Sequence, residues 1–159
     1  MNSNIIPLVG FDKVKFGQTR DEVIKLLGSP DEIEEDLMLG TTPDEATTVF
    51  YYDDLELSLS FEKEEGYRLT EISFDRDYFS IEDKIKTGMT MDDVLAAATE
   101  LGLGYGYEED VADLVDSDNV SIWVYEEKNV DFYFEDKILT TIQIGPEFSE
   151  DGDSIIWPK

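Results

Sequence analysis

The chain contains no cysteine and no histidine. Without cysteine there can be no disulfides, thiolate nucleophiles, cysteine zinc sites or lipids attached through sulfur. Without histidine the commonest general base and the commonest transition-metal ligand are missing. No catalytic residue, cofactor or metal is therefore expected, and the chain reads as a non-enzyme. Basic residues are also scarce, 12 Lys and Arg against 39 Asp and Glu, giving a formal charge of −27. Residues 1–80 hold 7 basic and 19 acidic residues and the rest hold 5 and 20, so the halves carry −12 and −15 and the charge is no property of a tail. A field of that sign repels nucleic-acid backbones and anionic membranes and attracts basic proteins. No apolar run reaches the length of a membrane-spanning helix, roughly 18–20 residues. The start, Met1-Asn2-Ser3-Asn4, is too polar for a secretory leader, so a cytoplasmic protein is expected.

What is present is a duplication. Gly17, Thr19, Asp21 and Val23 recur 71 residues later as Gly88, Thr90, Asp92 and Val94. Thr19 with Glu22 fits a helix capping box, and Thr90 with Asp93 a weaker one. Val23, Leu26 and Leu27, then Val94, Ala97, Ala98 and Leu101, give each helix an apolar face, and Gly28 and Gly102 are its stops. Neither glycine segment has the spacing or the lysine of a phosphate loop. After each helix comes an acidic stretch and then three alternating segments: 49–53, 55–62 and 69–74 in the first copy, 120–125, 130–135 and 138–144 in the second. The expected class is α+β: two tandem helix-plus-β-meander repeats forming one curved antiparallel sheet with helices on one face. A single domain over 1–159 is expected, with repeats at approximately 11–76 and 82–145 and a tail over 146–159. Phe148, Ile155, Ile156 and Trp157 predict that this tail packs back on the domain or adds an edge strand.

Alternation assigns Leu55, Leu57, Leu59, Phe61, Ile72 and Phe74 to the core, with Val130, Phe132, Phe134, Ile142 and Ile144 as the inward residues of the second copy. Glu56, Ser58, Ser60, Glu62, Glu71, Ser73, Asp131, Tyr133, Glu135, Thr141 and Gln143 fall on the other face. The first strand of each meander is apolar on both sides. An offset of 73 aligns Phe50 with Trp123 and Tyr52 with Tyr125, and the expectation is that these four lie on the open face beside Tyr133. Aromatics on an otherwise polar sheet suit a protein-binding surface, because they supply contact area with little rotamer entropy to lose. The candidate anchors are Phe50, Tyr52, Trp123, Tyr125 and Tyr133, and Glu56, Glu62, Glu71, Asp131 and Glu135 are the candidate charged contacts. The acidic connections 32–44 and 108–118 are a second candidate surface; Leu37, Met38 and Leu39, and Val111, Leu114 and Val115, predict short helices within them.

The string Lys15-Phe16-Gly17-Gln18-Thr19-Arg20-Asp21-Glu22-Val23, followed by Leu27-Gly28-Ser29-Pro30 and an aromatic strand, resembles the SmpA/OmlA type of helix-and-sheet repeat. Two in tandem resemble the fold family of β-lactamase inhibitory protein. The likeness spans roughly residues 14–144 and implies helices behind a continuous sheet whose concave, aromatic-rich face grips another protein. The second copy departs from it: the Leu101-Gly102 pair comes three residues late and no proline follows. The absent cysteines also remove the disulfides of secreted inhibitors and the lipid anchor of outer-membrane relatives, which counts against a β-lactamase target or an envelope-assembly role. The expectation is an immunity protein, of the kind deployed in contact-dependent growth inhibition, that neutralises a basic bacterial toxin such as a nuclease. Three alternatives stand beside it. A DNA mimic or general acidic interaction module would share the charge. A calcium module is suggested by Asp116-Ser117-Asp118 and Asp151-Gly152-Asp153, although neither fits a twelve-residue loop ending in glutamate. A carboxylate enzyme is not singled out by any acid pair.

Overall fold

The computed structural model describes residues 3–36, 47–62, 65–109 and 119–158. The chain begins with three short strands, Ser3–Ile6 (β1), Gly10–Phe11 (β2) and Val14–Lys15 (β3), and enters the helix Arg20–Leu27 (α1). Glu32–Asp36 (β4), Thr47–Tyr52 (β5), Leu57–Glu62 (β6) and Arg68–Phe74 (β7) follow, then Phe79–Ser80 (β8) and the helix Met91–Glu100 (α2). The second half supplies Tyr107–Glu109 (β9), Val120–Tyr125 (β10), Val130–Glu135 (β11) and Ile138–Ile144 (β12), and the chain closes with Glu147–Phe148 (β13) and Ile155–Ile156 (β14).

Eight of these strands make one antiparallel sheet in the order β4-β5-β6-β7-β12-β11-β10-β9, so the two meanders meet edge to edge where β7 pairs β12. The hairpin β11–β12 turns through Asp136 and Lys137, both at positive φ (52° and 65°), the backbone that a two-residue turn between right-twisted strands requires. A bulge interrupts each meander at the same place. Phe61 pairs Leu69 while Ser60 pairs Glu71, and Phe134 pairs Leu139 while Tyr133 pairs Thr141. The extra residue is a threonine both times. Thr70 donates its hydroxyl to the Ser60 carbonyl at 3.4 Å, and Thr140 donates to the Tyr133 carbonyl at 3.1 Å.

The helices start where their caps dictate. Thr19 Oγ1 accepts from the Glu22 N–H at 3.3 Å and Thr90 Oγ1 from the Asp93 N–H at the same distance. The Glu22 carboxylate accepts the Thr19 hydroxyl proton, at 3.2 Å, instead of reaching the cap's backbone N–H. Each helix is also tied to the long sheet through the residues just before it: Gly17 N–H bonds the Leu69 carbonyl and Gly88 N–H the Leu139 carbonyl.

The expected α+β class is overturned. The described chain is predominantly strand, with α1 and α2 as its two α-helices, and the layer behind the long sheet is not helical alone. A second, four-stranded sheet of order β3-β2-β1-β8, with β1 and β8 parallel, shares that place. It buries Ile5, Phe11, Val14 and Phe79 to 2% exposure or less. Phe11 and Phe79 meet Phe74 of the long sheet at centroid distances of 5.4 and 4.9 Å and each other at 5.3 Å, which joins the two sheets. Strands of two residues are too short for alternation to register, so periodicity assigned this layer to helices alone.

The tail returns to the body as a β13–β14 hairpin. Trp157 lies against Gly17, where a Cβ would come 2.9 Å from its ring, and the Arg68 guanidinium sits 5.4 Å from the ring centroid. The expected long connections begin as the edge strands β4 and β9; the helices expected within 37–39 and 111–115, and Asp116-Ser117-Asp118, lie outside the described residues.

Candidate protein-binding face

Cross-strand register shows which side chains share the open face. Glu32, Tyr51, Ser58, Ser73, Gln143, Asp131, Val124 and Tyr107 are successive partners from one edge of the long sheet to the other. A neighbouring row runs Thr141, Tyr133, Ile122 and Glu109. Paired residues of an antiparallel ladder point to the same side, so this face carries tyrosines, small polar residues and acids.

The expected aromatic set is not on it. Phe50, Tyr52 and Tyr125 are buried on the core side, at 2%, 5% and 4% exposure, and Trp123 packs against the same core, paired with Phe132. Tyr52 donates its hydroxyl to the Gly28 carbonyl at 2.9 Å, which fixes the end of α1. The Tyr125 ring presses so closely on Gly106 that a Cβ there would lie 2.4 Å from it. Strands with apolar residues on both sides carry no internal sign of which side faces in. Tyr133, Glu71 and Asp131 lie on the open face as expected from alternation. Glu62 ends β6 and Glu135 ends β11, both exposed, while Glu56 occupies the β5–β6 turn at φ 51°. Periodicity missed Tyr51, Tyr105 and Tyr107. The alternation Tyr105-Gly106-Tyr107-Glu108-Glu109 was the available signal. Tyr105, 81% exposed, stacks on Tyr107 at 6.5 Å, and Tyr107 donates to Glu126 at 2.7 Å.

The structure gathers Glu62, Glu71 and Asp131 around one cleft of about 310 Å³, whose apolar wall includes Pro146, Phe148 and Ile155. The tail hairpin therefore forms one side of it. Burial raises the Glu71 carboxyl above its ordinary range, with Asp131 and Glu62 adding to the shift. Burial, then Glu109 and Glu126, push Asp131 up to about 6. Tyr133 goes up to about 12 through burial, Asp131, Glu71 and Glu109, so it remains a hydrogen-bond donor at neutral pH. Every charge named in these shifts is negative. Such an arrangement holds ionised carboxylates at a cost that an incoming cation removes.

That cost has a pH signature. Asp131 rises from 3.8 unfolded to about 6 folded, so the native state binds more protons between those values. Its contribution is fully present below pH 4 and is lost as pH rises through 6. Asp131 is partly exposed, and after screening the effect is about 1–2 kcal/mol. Asp131→Asn is therefore expected to be more stable than wild type by that amount at pH 7 and equal to it near pH 4. Thermal melts of both proteins at the two pH values check this; a gap independent of pH would show that Asp131 is not held under charge strain.

Among the described residues no group of three or more acidic side chains is placed to hold a metal ion, and no helix is long and apolar enough to cross a membrane. Asp151-Gly152-Asp153 forms a turn in which the Asp151 carboxylate accepts from the Ser149 hydroxyl and the Asp153 N–H, which lowers its pKa.

No protein-family model matches the chain, and no curated protein matches it. Among solved structures, it is similar to the crystal structure of a DUF4309 family protein, YjgB, from Bacillus subtilis subsp. subtilis str. 168, with 13% identity, coverage of 82% of this chain and 79% of that one, and a TM-score of 0.46.

Proposed function

We propose that the protein is a binding inhibitor, an immunity protein that captures a basic toxin through the open face of its long sheet. The observation that carries this reading is the convergence of Glu71 and Asp131 on one cleft, where burial and then acidic neighbours raise both. A lysine or arginine from a partner removes that repulsion on arrival, and the long-range field of −27 charges steers it there. Tyr133, Tyr107 and Tyr105 supply stiff amphipathic contact area around the acids. The SmpA/OmlA-like motifs support the inhibitor reading, and a basic nuclease, whose cleft must attract phosphates, has the complementary charge. No direct nucleic-acid or membrane contact and no catalysis are part of this reading.

The test is co-expression with the product of the adjacent gene, assayed for growth arrest, nuclease activity and complex formation. The expected result is rescue of growth and a one-to-one complex whose association rate falls steeply with salt while dissociation changes little. Capture of many unrelated basic proteins, with affinity that collapses in salt, would instead favour a DNA mimic or a general acidic module.

A further inference from the structure

A second cavity, of about 230 Å³, shares no lining residue with the acidic cleft. The two are separated by adjoining pairs: Lys128 lines the cavity and Asn129 the cleft, and Leu8 of the cavity bridges Pro146 of the cleft. Its floor is the buried Ile5, Ile81 and Leu103, and its accessible apolar surface comes from Ile6, Pro7, Leu8 and Leu101, beside three polar side chains. Leu8 contributes to it from an unfavourable backbone. It lies in the turn closed by the Val9 N–H to the Ile6 carbonyl at 3.0 Å, with φ 71°, the left-handed region where glycine is favoured. The chain thus keeps a large apolar side chain at a position where glycine removes the strain, and that side chain lines the cavity.

The polar groups of the lining are Asn4, Glu82 and Lys128. Asn4 Oδ1 accepts from the Glu82 N–H at 2.9 Å and fixes that part of the wall. Lys128 is the cation. Although the chain holds 39 acids, Lys128 Nζ has no ion-pair or hydrogen-bond partner among the described residues. An aliphatic groove with one ammonium group that pairs with no described residue complements a ligand with an apolar body and one negative head.

We propose that this cavity binds a small aliphatic monocarboxylate, with its hydrocarbon body against Ile6, Leu8 and Leu101, over the buried floor of Ile5, Ile81 and Leu103, and its carboxylate on Lys128. Titration of the whole protein with octanoate, followed by methyl NMR and calorimetry, tests it, with octanol as the body alone and acetate as the head alone. Octanoate is expected to saturate and to shift the methyl signals of Ile5 and Leu103, with octanol and acetate at least tenfold weaker. Lys128→Gln should weaken octanoate about tenfold while leaving octanol unchanged, and Glu82→Gln should strengthen octanoate by removing a like charge. Leu101→Phe, which fills the groove, should abolish binding of both. Thermal melts establish that each variant is folded. Failure of octanoate to saturate, equal binding of octanol, or an unchanged octanoate affinity in Lys128→Gln would each overturn the proposal. None of these outcomes touches the acidic cleft, so the capture of a basic protein stands or falls separately.

Discussion

Replacing Phe74 with alanine is expected to lower the unfolding free energy by about 3–5 kcal/mol. The ring is fully buried and is the point where the long sheet meets Phe11 and Phe79 of the small one. Truncation empties the middle of that three-ring cluster, and neither neighbour can close the gap: Phe11 is held in β2 and Phe79 in β8, each pinned by its own ladder. For a chain of this length the loss corresponds to a fall of about 10 °C in melting temperature. Urea denaturation checks it, and the midpoint should move with little change in slope. Phe74→Leu, which keeps most of the volume, should lose much less, and Tyr78→Ala, which removes an exposed ring at the edge of the cluster, less still. A loss under about 1 kcal/mol in Phe74→Ala would mean that the cluster does not bind the two sheets together.

The double variant Glu71→Lys with Asp131→Lys is expected to weaken capture of the proposed basic partner by at least about 100-fold, mostly through faster dissociation. The two carboxylates line the same cleft and are the most desolvated acids of the open face. A partner cation seated there would meet like charge in place of its counter-ion, and replacing one member of a desolvated pair costs about 2–5 kcal/mol. The matching control is Asp12→Lys with Asp92→Lys, two exposed positions outside the cleft that change the net charge equally. It should slow association severalfold and leave dissociation nearly untouched. Equal losses in the two double variants would show that only total charge matters. The neutral pair Glu71→Gln with Asp131→Asn adds an independent reading, because it should stabilise the free protein while weakening the complex. Opposite signs in those two measurements are difficult to obtain from a residue that merely supports the fold.

Much of the strand structure could be read from the chain because its alternation is strong. Leu57-Ser58-Leu59-Ser60-Phe61 and Val130-Asp131-Phe132-Tyr133-Phe134 each have one possible inward side, and Thr19 and Thr90 announce helices through cap chemistry that needs no tertiary context. Three things were beyond that kind of reading. The two-residue strands around Phe11, Val14 and Phe79 offer no period to detect. Val49-Phe50-Tyr51-Tyr52 and Ile122-Trp123-Val124-Tyr125 are apolar on both sides, so only register against β6 and β11 decides that Phe50 and Trp123 turn inward. The acid content hid Tyr105 and Tyr107, whose spacing of two was overshadowed by the run that follows them. The candidate site consequently moved: its acids and Tyr133 were legible from the pleat, and Tyr51, Tyr105 and Tyr107 were not.

The paired bulges carry a consequence for how such a surface diverges. Leu69 and Ile72 both face the core although two residues lie between them, as do Leu139 and Ile142. A strand that lost Thr70 would still read inward at Leu69, outward at Glu71 and inward at Ile72, and one that lost Thr140 would preserve Leu139, Thr141 and Ile142 in the same way. Since a bulge chiefly adds bend and twist, a single-codon deletion reshapes the face without exchanging its two sides. Contour and hydrophobic packing are thereby inherited separately, and a lineage can reshape its open face while its interior stays as it was.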